Sequence, residues 1–275
     1  MIDEFEENLT EANGDSGIEV TPTNSNPPPS WPDFFQSART TLQTTVIART
    51  FIRTMGTSFS SPVQLKCDDG HSYIVKSSSY GLATATEQIV ARLAPVISSP
   101  VPETRLVSIS QSLLDDNKLG MNKFQEGLAH GLRFMPNCTD KSGIEHQNLS
   151  INRQKFASLA VLYGWFHLGG DHQFFYDKTT NEVYSFDHGF FFPNGPNWSE
   201  MSLDSYKIVQ LDPLITGACT FTQPEIAAAK LPLAIVTSEH VATAIMSPPD
   251  DWQITMPMRL KAAEYLMSRC QDLQN

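Results

Sequence analysis

Four ionisable side chains, far apart along the chain, are of the types that handle a polyphosphate: Lys76, Glu87, Asp171 and Asp187. Moving a phosphoryl group calls for a cation on the phosphates that stay behind and a carboxylate that aims it. It also calls for a group that orients the attacking hydroxyl and a ligand for a charge-neutralising metal ion. The stretch GGDHQFFYDKTTNEVYSFDHG, residues 169–189, holds both aspartates. FFYD and EVYSFD have strand composition and Lys178-Thr-Thr-Asn181 that of a turn, so a hairpin brings Asp171 and Asp187 towards one mouth. Two carboxylates gathered there share a proton or face a cation. Each of the four residues also has an ordinary reading that stays open at this level. Lys76 can end a strand with its ammonium in water, and Glu87 can close a capping box begun by Thr84. Asp171 can be a turn residue after a helix, and Asp187 an Asx-turn before Gly189. His172 and His188 supply further ligand types for a metal-dependent hydrolase, a reading that leaves Lys76 and Glu87 without a part.

The elements that must position these groups can be read from pattern. VQLKCDDGHSYIVK predicts two strands joined at Asp69-Gly70, with Tyr73 and Val75 on one face and Ile74 and Lys76 on the other. A lysine turned inward with Ile74 needs an anionic partner, since an unpaired buried ammonium loses its hydration or its proton. A helix follows, from Thr84 as N-cap through QIVARLAPV, until Pro95, Pro100 and Pro102 interrupt it; Glu87, Val90, Ala91 and Ala94 share one face. PETRLVSIS returns to strand. RQKFASLAVLYGWFHLGG predicts a helix with Phe156, Leu159, Ala160, Tyr163 and Phe166 at helical spacing, stopped by Gly169-Gly170 and delivering the chain to Asp171. QPEIAAAKLPLAIVTSEHVATAIM and MRLKAAEYLMSRCQDL are helical. Strands with one helix come first and helices around a short hairpin afterwards, which predicts an α+β fold in two lobes.

Composition narrows the class. At 275 residues the chain is long enough to bury a sizeable core. Its net charge of −11 and pI near 5.0 disfavour nucleic acid and anionic lipid as partners. Cys67, Cys138, Cys219 and Cys270 are widely spaced, without the pairing of a zinc or redox motif. MIDEFEENLTEANG lacks the basic and apolar regions of a leader, and no apolar run is long enough to span a bilayer, so a cytoplasmic location is expected. Residues 1–36, acidic and rich in Asn, Ser, Thr and Pro, predict a disordered tail.

Four segments together resemble the HipA-like kinases, bacterial relatives of the protein and lipid kinase superfamily. They are VQLKCDDGHSYIVK, then TEQIVARLAPVISSPVPETRLVSI, then GGDHQ with FDHG, and the ending IMSPPDDW with RLKAAEYLMSRCQDL. The resemblance runs from about Arg49 to the C-terminus. It implies a two-lobed kinase-like fold over residues 37–275. A β-rich N-lobe of about residues 37–122 would carry one principal helix, and a mainly helical C-lobe of about 123–275 would carry a catalytic hairpin. ATP and Mg²⁺ would sit between the lobes. On this resemblance Lys76 is the phosphate-binding lysine and a catalytic residue, Glu87 its helix partner, Asp171 the catalytic-loop aspartate and Asp187 the metal aspartate. MNKFQEGLAHG, residues 121–131, falls where the family's hinge lies, so backbone near Phe124, Gln125 and Glu126 would meet the adenine. TMGTSFSS, residues 54–61, would cover the phosphates and set Ser58 beside them. One departure concerns the asparagine that such kinases place about five residues after the catalytic aspartate, where this chain has Tyr176; the Gln173 amide is a substitute metal ligand. The activity implied is ATP- and Mg²⁺-dependent transfer to a hydroxyl, protein serine or threonine included. The alternative that Tyr176 raises is a pseudokinase that binds a nucleotide or a partner without turnover.

Overall fold

The computed structural model describes residues 30–40, 44–56, 60–139 and 143–275. The first helix, α1 (Trp31–Thr40), sets Trp31, Phe34, Phe35 and Ala38 on one side, the i, i+3, i+4, i+7 pattern of an apolar stripe. That stripe packs on the helical core and buries Phe35, so the tail boundary expected at about residue 36 falls inside a packed helix. The Pro-rich run ahead of it had set the local composition, whereas the aromatic spacing begins at Trp31.

Five strands close into a barrel in the order β1-β2-β3-β5-β4: β1 (Thr45–Thr54), β2 (Val63–Cys67), β3 (Ser72–Lys76), β4 (Thr104–Ile109) and β5 (Gly127–Arg133). The β2–β3 hairpin turns at Asp69-Gly70, where Gly70 has φ +82°. A parallel pairing of β1 with β4 completes the closure and leaves no sheet edge to cover. Val46, Val63, Leu65, Tyr73, Val75, Val107 and Ala129 fill the interior, the inward half of each strand's alternation. Between the strands lie α2 (Leu82–Leu93) and the short α3 (Gln111–Asp116). Strand β5 was not legible beforehand, and it carries the barrel past the boundary expected at about residue 122. Its residues GLAHGLR are poor strand formers, yet it pairs with both β3 and β4. At Gly131 a side chain would press on Val107 and on the Arg105 carbonyl oxygen, 3.3 Å away, so close strand packing and not propensity selects the residue.

The remaining chain is mostly helical: α4 (Ser150–Phe166), the two-stranded β6 (Phe174–Tyr176) and β7 (Val183–Ser185), then α5 (Glu200–Ser205), α6 (Pro213–Cys219), α7 (Gln223–Lys230), α8 (Ser238–Ile245) and α9 (Met256–Gln274). Helix α4 is the axis of this part, with Phe156 through Phe166 buried on every side, as a helix hydrophobic all round must be. Its end differs from the expected glycine stop. His167 takes the left-handed position at φ +66°, and Arg269 of α9 donates to the last α4 carbonyls, those of Gly164 and Trp165, and to the carbonyl of Ile208. Residues 206–212 thereby lie against α4 at Gly164. A Cβ there would collide with the Gln210 carbonyl oxygen and stand 3.0 Å from Leu211 Cα.

Because the obstruction is backbone and not a movable side chain, Gly164→Ala is expected to destabilise the protein by about 1–3 kcal/mol or more. Urea denaturation of the variant beside the parent protein measures this, and a loss under 0.5 kcal/mol, roughly surface-substitution size, contradicts the packing described.

Candidate active site

Lys76 is the last residue of β3, paired in register with His130 of β5. Strand alternation sends Tyr73 and Val75 into the barrel, and Ile74 and Lys76 outward to a cavity of about 520 Å³ between barrel and helices. There the ammonium meets two carboxylates: it is ion-paired with Glu87 Oε1, and Asp187 Oδ1 stands 2.6 Å from Nζ. Glu87 does not serve as a cap. Helix α2 starts at Leu82 behind Gly81, and Thr84 lies inside it, its hydroxyl donating to the Ser77 carbonyl at 2.8 Å. The Glu87 side chain, 5% exposed, points across to the lysine, which is 13% exposed. Asp187, at 38%, is the member open to solvent, and its backbone is left-handed at φ 60°, ψ 55°. That conformation costs a non-glycine residue about 1 kcal/mol or more.

The charges do not balance inside this cluster. Burial works against the Lys76 charge, but Glu87 and Asp187 outweigh it and raise the lysine above its ordinary value. Burial is also the largest influence on Asp187, yet the ammonium overrides it and holds that carboxyl low. For Glu87 burial wins and pushes the carboxyl up to about 7. One ammonium therefore keeps Asp187 ionised and only partly offsets the burial of Glu87.

Behind the cluster sit two buried histidines. His130 Nδ1 is 2.8 Å from Gln88 Oε1, and its Nε2 is 3.6 Å from Glu87 Oε2. His188 Nε2 is 2.8 Å from Ser185 Oγ, which is 2.7 Å from the Tyr163 hydroxyl. Burial, with the Lys76 ammonium next, depresses His130 to about 3; burial likewise brings His188 to about 3 against the opposing pull of Asp187, with Lys76 adding to the depression. Both are neutral hydrogen-bonding groups at physiological pH.

The hairpin β6–β7 sorts the remaining candidates. Gln173 and Phe175 line the cavity, while Phe174 and Tyr176 point away into the core. Position 176 therefore cannot present a ligand to the cavity: the Tyr176 hydroxyl donates to the Gly143 carbonyl at 2.8 Å and accepts the Glu145 N–H at 2.7 Å. Asp171 is exposed on the loop between α4 and β6 and is not among the residues lining the cavity. Phe124, Gln125 and Glu126 do not line it either. They precede β5, where Phe124 packs on the barrel core and Gln125 Nε2 donates to Ser78 Oγ at 3.2 Å. Because β5 crosses the barrel from there, the chain reaches the cavity from His130 onward, and beyond Arg133 the residues Phe134, Met135, Pro136, Cys138 and Thr139 form its wall. That wall went unrecognised because the strand before it did. Its sequence signal was the apolar RFMP following a segment long enough for one more strand. Ser58 lies outside the described residues, and its neighbour Ser60 is at the cavity. Among the described residues no three His, Cys, Asp or Glu side chains gather to hold a metal ion, and of the four residues drawn as a hydrolase site His172 is bonded to Asp212, His188 to Ser185, and Asp171 lies off the cavity that Asp187 lines.

The two neutral histidines carry a pH dependence. Their folded-state values near 3 lie below the unfolded value of about 6.5, so between those limits unfolding takes up a proton at each. The histidines' contribution to stability is expected to be full above pH 6.5 and to fall as pH drops towards 3, with a slope of about 1.4 kcal/mol per pH unit for each, opposed between about pH 7 and 4.5 by the raised Glu87 carboxyl. Urea denaturation at a series of pH values should show that slope, and His188→Gln should remove one proton's share. An unchanged slope in the variant contradicts the assignment.

Comparison with known proteins adds to this geometry. The family model for the HipA-like kinase matches residues 48–273. Among curated proteins, none matches the chain. Of solved structures, the Helicobacter pylori proinflammatory kinase CtkA superposes with a TM-score of 0.52 at 12% identity, covering 85% of this chain and 94% of that one. The Golgi casein kinase gives a TM-score of 0.48 at 10% identity, over 89% of this chain and 73% of that one. Its Mn/ADP-bound form gives the same score and identity, over 89% and 74%. With a match that spans most of its length, the chain belongs to the HipA-like kinases.

Proposed function

We propose that this kinase transfers the γ-phosphoryl group of ATP, taken up with Mg²⁺, to a hydroxyl of another molecule, with protein serine or threonine as the acceptor class. The observation that carries the reading is the Lys76 ammonium shared between Glu87 and Asp187 at one cavity. In this reading the barrel and the helical part are the two lobes, and the triphosphate lies between them. The adenine stands against residues 133–139, where Phe134, Met135 and Pro136 offer apolar wall and backbone groups in place of the segment expected at Phe124 to Glu126. Lys76 holds the non-transferred phosphates, and Glu87 keeps the ammonium aimed. Asp187 and the Gln173 amide oxygen fit a hard divalent cation, because both are oxygen donors at the cavity. Such a cation supplies neutralisation of the charge on the transferring group. Asp171 orients or deprotonates the acceptor hydroxyl from the loop after α4.

Two experiments test this. Transfer from labelled ATP is expected in the parent protein, and Lys76→Met or Asp187→Asn should lower it by about 100-fold or more while nucleotide-free folding persists. Nucleotide binding with no transfer to water, to the protein itself or to lysate proteins would instead favour a binding module, the reading that Tyr176 raised. Separately, ADP should slow amide hydrogen exchange in residues 133–139 and leave residues 124–126 unchanged. Protection at residues 124–126 alone would restore the earlier placement of the adenine.

A further inference from the structure

His172 stands between Asp171 and Gln173, and its side chain is fastened where theirs are not. Its Nε2–H donates to Asp212 Oδ1 at 2.9 Å, and its ring lies parallel to the Tyr163 ring, centroids 4.9 Å apart with 8° between planes. Asp212 is itself fixed on two sides. The same Oδ1 accepts the Ile215 N–H at 2.9 Å as the cap of α6, and the Asp212 N–H donates to the Ala160 carbonyl of α4 at 2.9 Å. With a side chain only 8% exposed, Asp212 ties His172 to α4 and α6 together. Tyr163 extends the tie, since its hydroxyl reaches Ser185, which reaches His188 beside Asp187.

This anchor sets a phase. From residue 172 onward the side chains alternate: His172, Phe174 and Tyr176 turn towards the helices, while Gln173 and Phe175 line the large cavity. His172 borders a different cavity, of about 200 Å³, shared with Asp212, Leu168 and Gly170. In extended chain, residues two apart share a face, so a residue 172 pinned inward puts Asp171 on the side of Gln173. A slip of one residue would turn Gln173 out of the cavity and carry Asp171 to the opposite side with it.

We propose that His172, held by Asp212 and stacked on Tyr163, is the positioning residue that turns Gln173 into the large cavity and sets the exposed Asp171 on the same side of the chain, outside the cavity lining. This rests on the reading of Asp171 as the acceptor-facing aspartate. His172 touches no reacting atom in this role; it acts through its two neighbours.

His172→Phe tests it, because the ring on Tyr163 is kept and only the donor to Asp212 is lost. Affinity for metal-free ADP is expected to stay within twofold, while kcat for transfer falls by about 100-fold, the scale of a misplacement near 1 Å. Asp212→Asn, whose amide oxygen still accepts from His172, should keep most of the activity that Asp212→Ala loses. The distinguishing readout is coupling: Asp171→Asn with His172→Phe should lose clearly less than the product of the two single losses, because the part of the His172 effect that runs through Asp171 is already gone. Losses that multiply, or a His172→Phe enzyme within twofold of the parent, overturn the proposal. Amide hydrogen exchange across residues 170–173 is read on the same proteins and needs no turnover. Faster exchange in His172→Phe supports the anchor, and unchanged protection refutes it. Should the parent protein bind ATP and transfer nothing, the kinase chemistry of the site fails, and the exchange result alone still decides the placement.

Discussion

One ammonium holds the site together. Lys76 ends a barrel strand, Glu87 lies on the helix that follows, and Asp187 sits in the loop beyond the β6–β7 hairpin. In water such pairs contribute little, but the low dielectric around Lys76 and Glu87 makes the lysine costly to leave unpaired. The arrangement therefore does more than join residues. It fixes how the end of β3, the middle of α2 and the Asp187 loop meet, and it helps hold Asp187 in its left-handed conformation. The Glu87 carboxyl is pushed up while Asp187, the member open to solvent, stays low. A cavity with that cluster at one end and an apolar wall at Phe134 to Pro136 suits a ligand that is anionic at one end and aromatic at the other.

Rigidity around the loop that bears Asp171 comes from another quarter. Helix α4 is buried along its length, and Arg269 satisfies its terminal carbonyls while also holding Ile208. The segment so held ends at Asp212, which reaches back to α4 through Ala160 and out to His172. A long helix, one buried guanidinium and one capped aspartate thus give a short loop a fixed footing. The guanidinium suits this task because its planar fork reaches several carbonyls at once. Tyr163, stacked on His172 and met edge-on by Phe191, fills the space beneath. The buried histidines belong to the same logic. Kept neutral by burial and by Lys76, His130 and His188 bond Gln88 and Ser185 and add no charge to a cluster already defined by one cation.

What the sequence by itself determined was local. The Asp69-Gly70 turn, the alternation of SYIVK, the apolar run of α4 and the two short strands around Lys178 to Asn181 all follow from near neighbours, and the structure has each. Residue type and order also marked Lys76, Glu87, Asp171 and Asp187 as candidates, but left the ordinary reading of each open until the family resemblance assigned roles. Tertiary structure decided the rest. Whether Glu87 capped its helix or crossed to Lys76 depended on a helix start at Leu82, set by packing against residues 77–81 and not by the Thr84 pattern. Strand β5 exists because β3 and β4 leave a gap in a closing barrel, a demand that GLAHGLR does not express in its own propensities. Missing that strand displaced the cavity wall from residues 133–139 to Phe124–Glu126. Tyr176 could be noticed in sequence as a residue out of place, but only the pleat shows that it faces the core while Gln173 faces the cavity. Asp212 ahead of Pro213 marks a helix start, but nothing in sequence pointed to His172: the partner lies 40 positions away, and only the folding of α6 against α4 brings the two together.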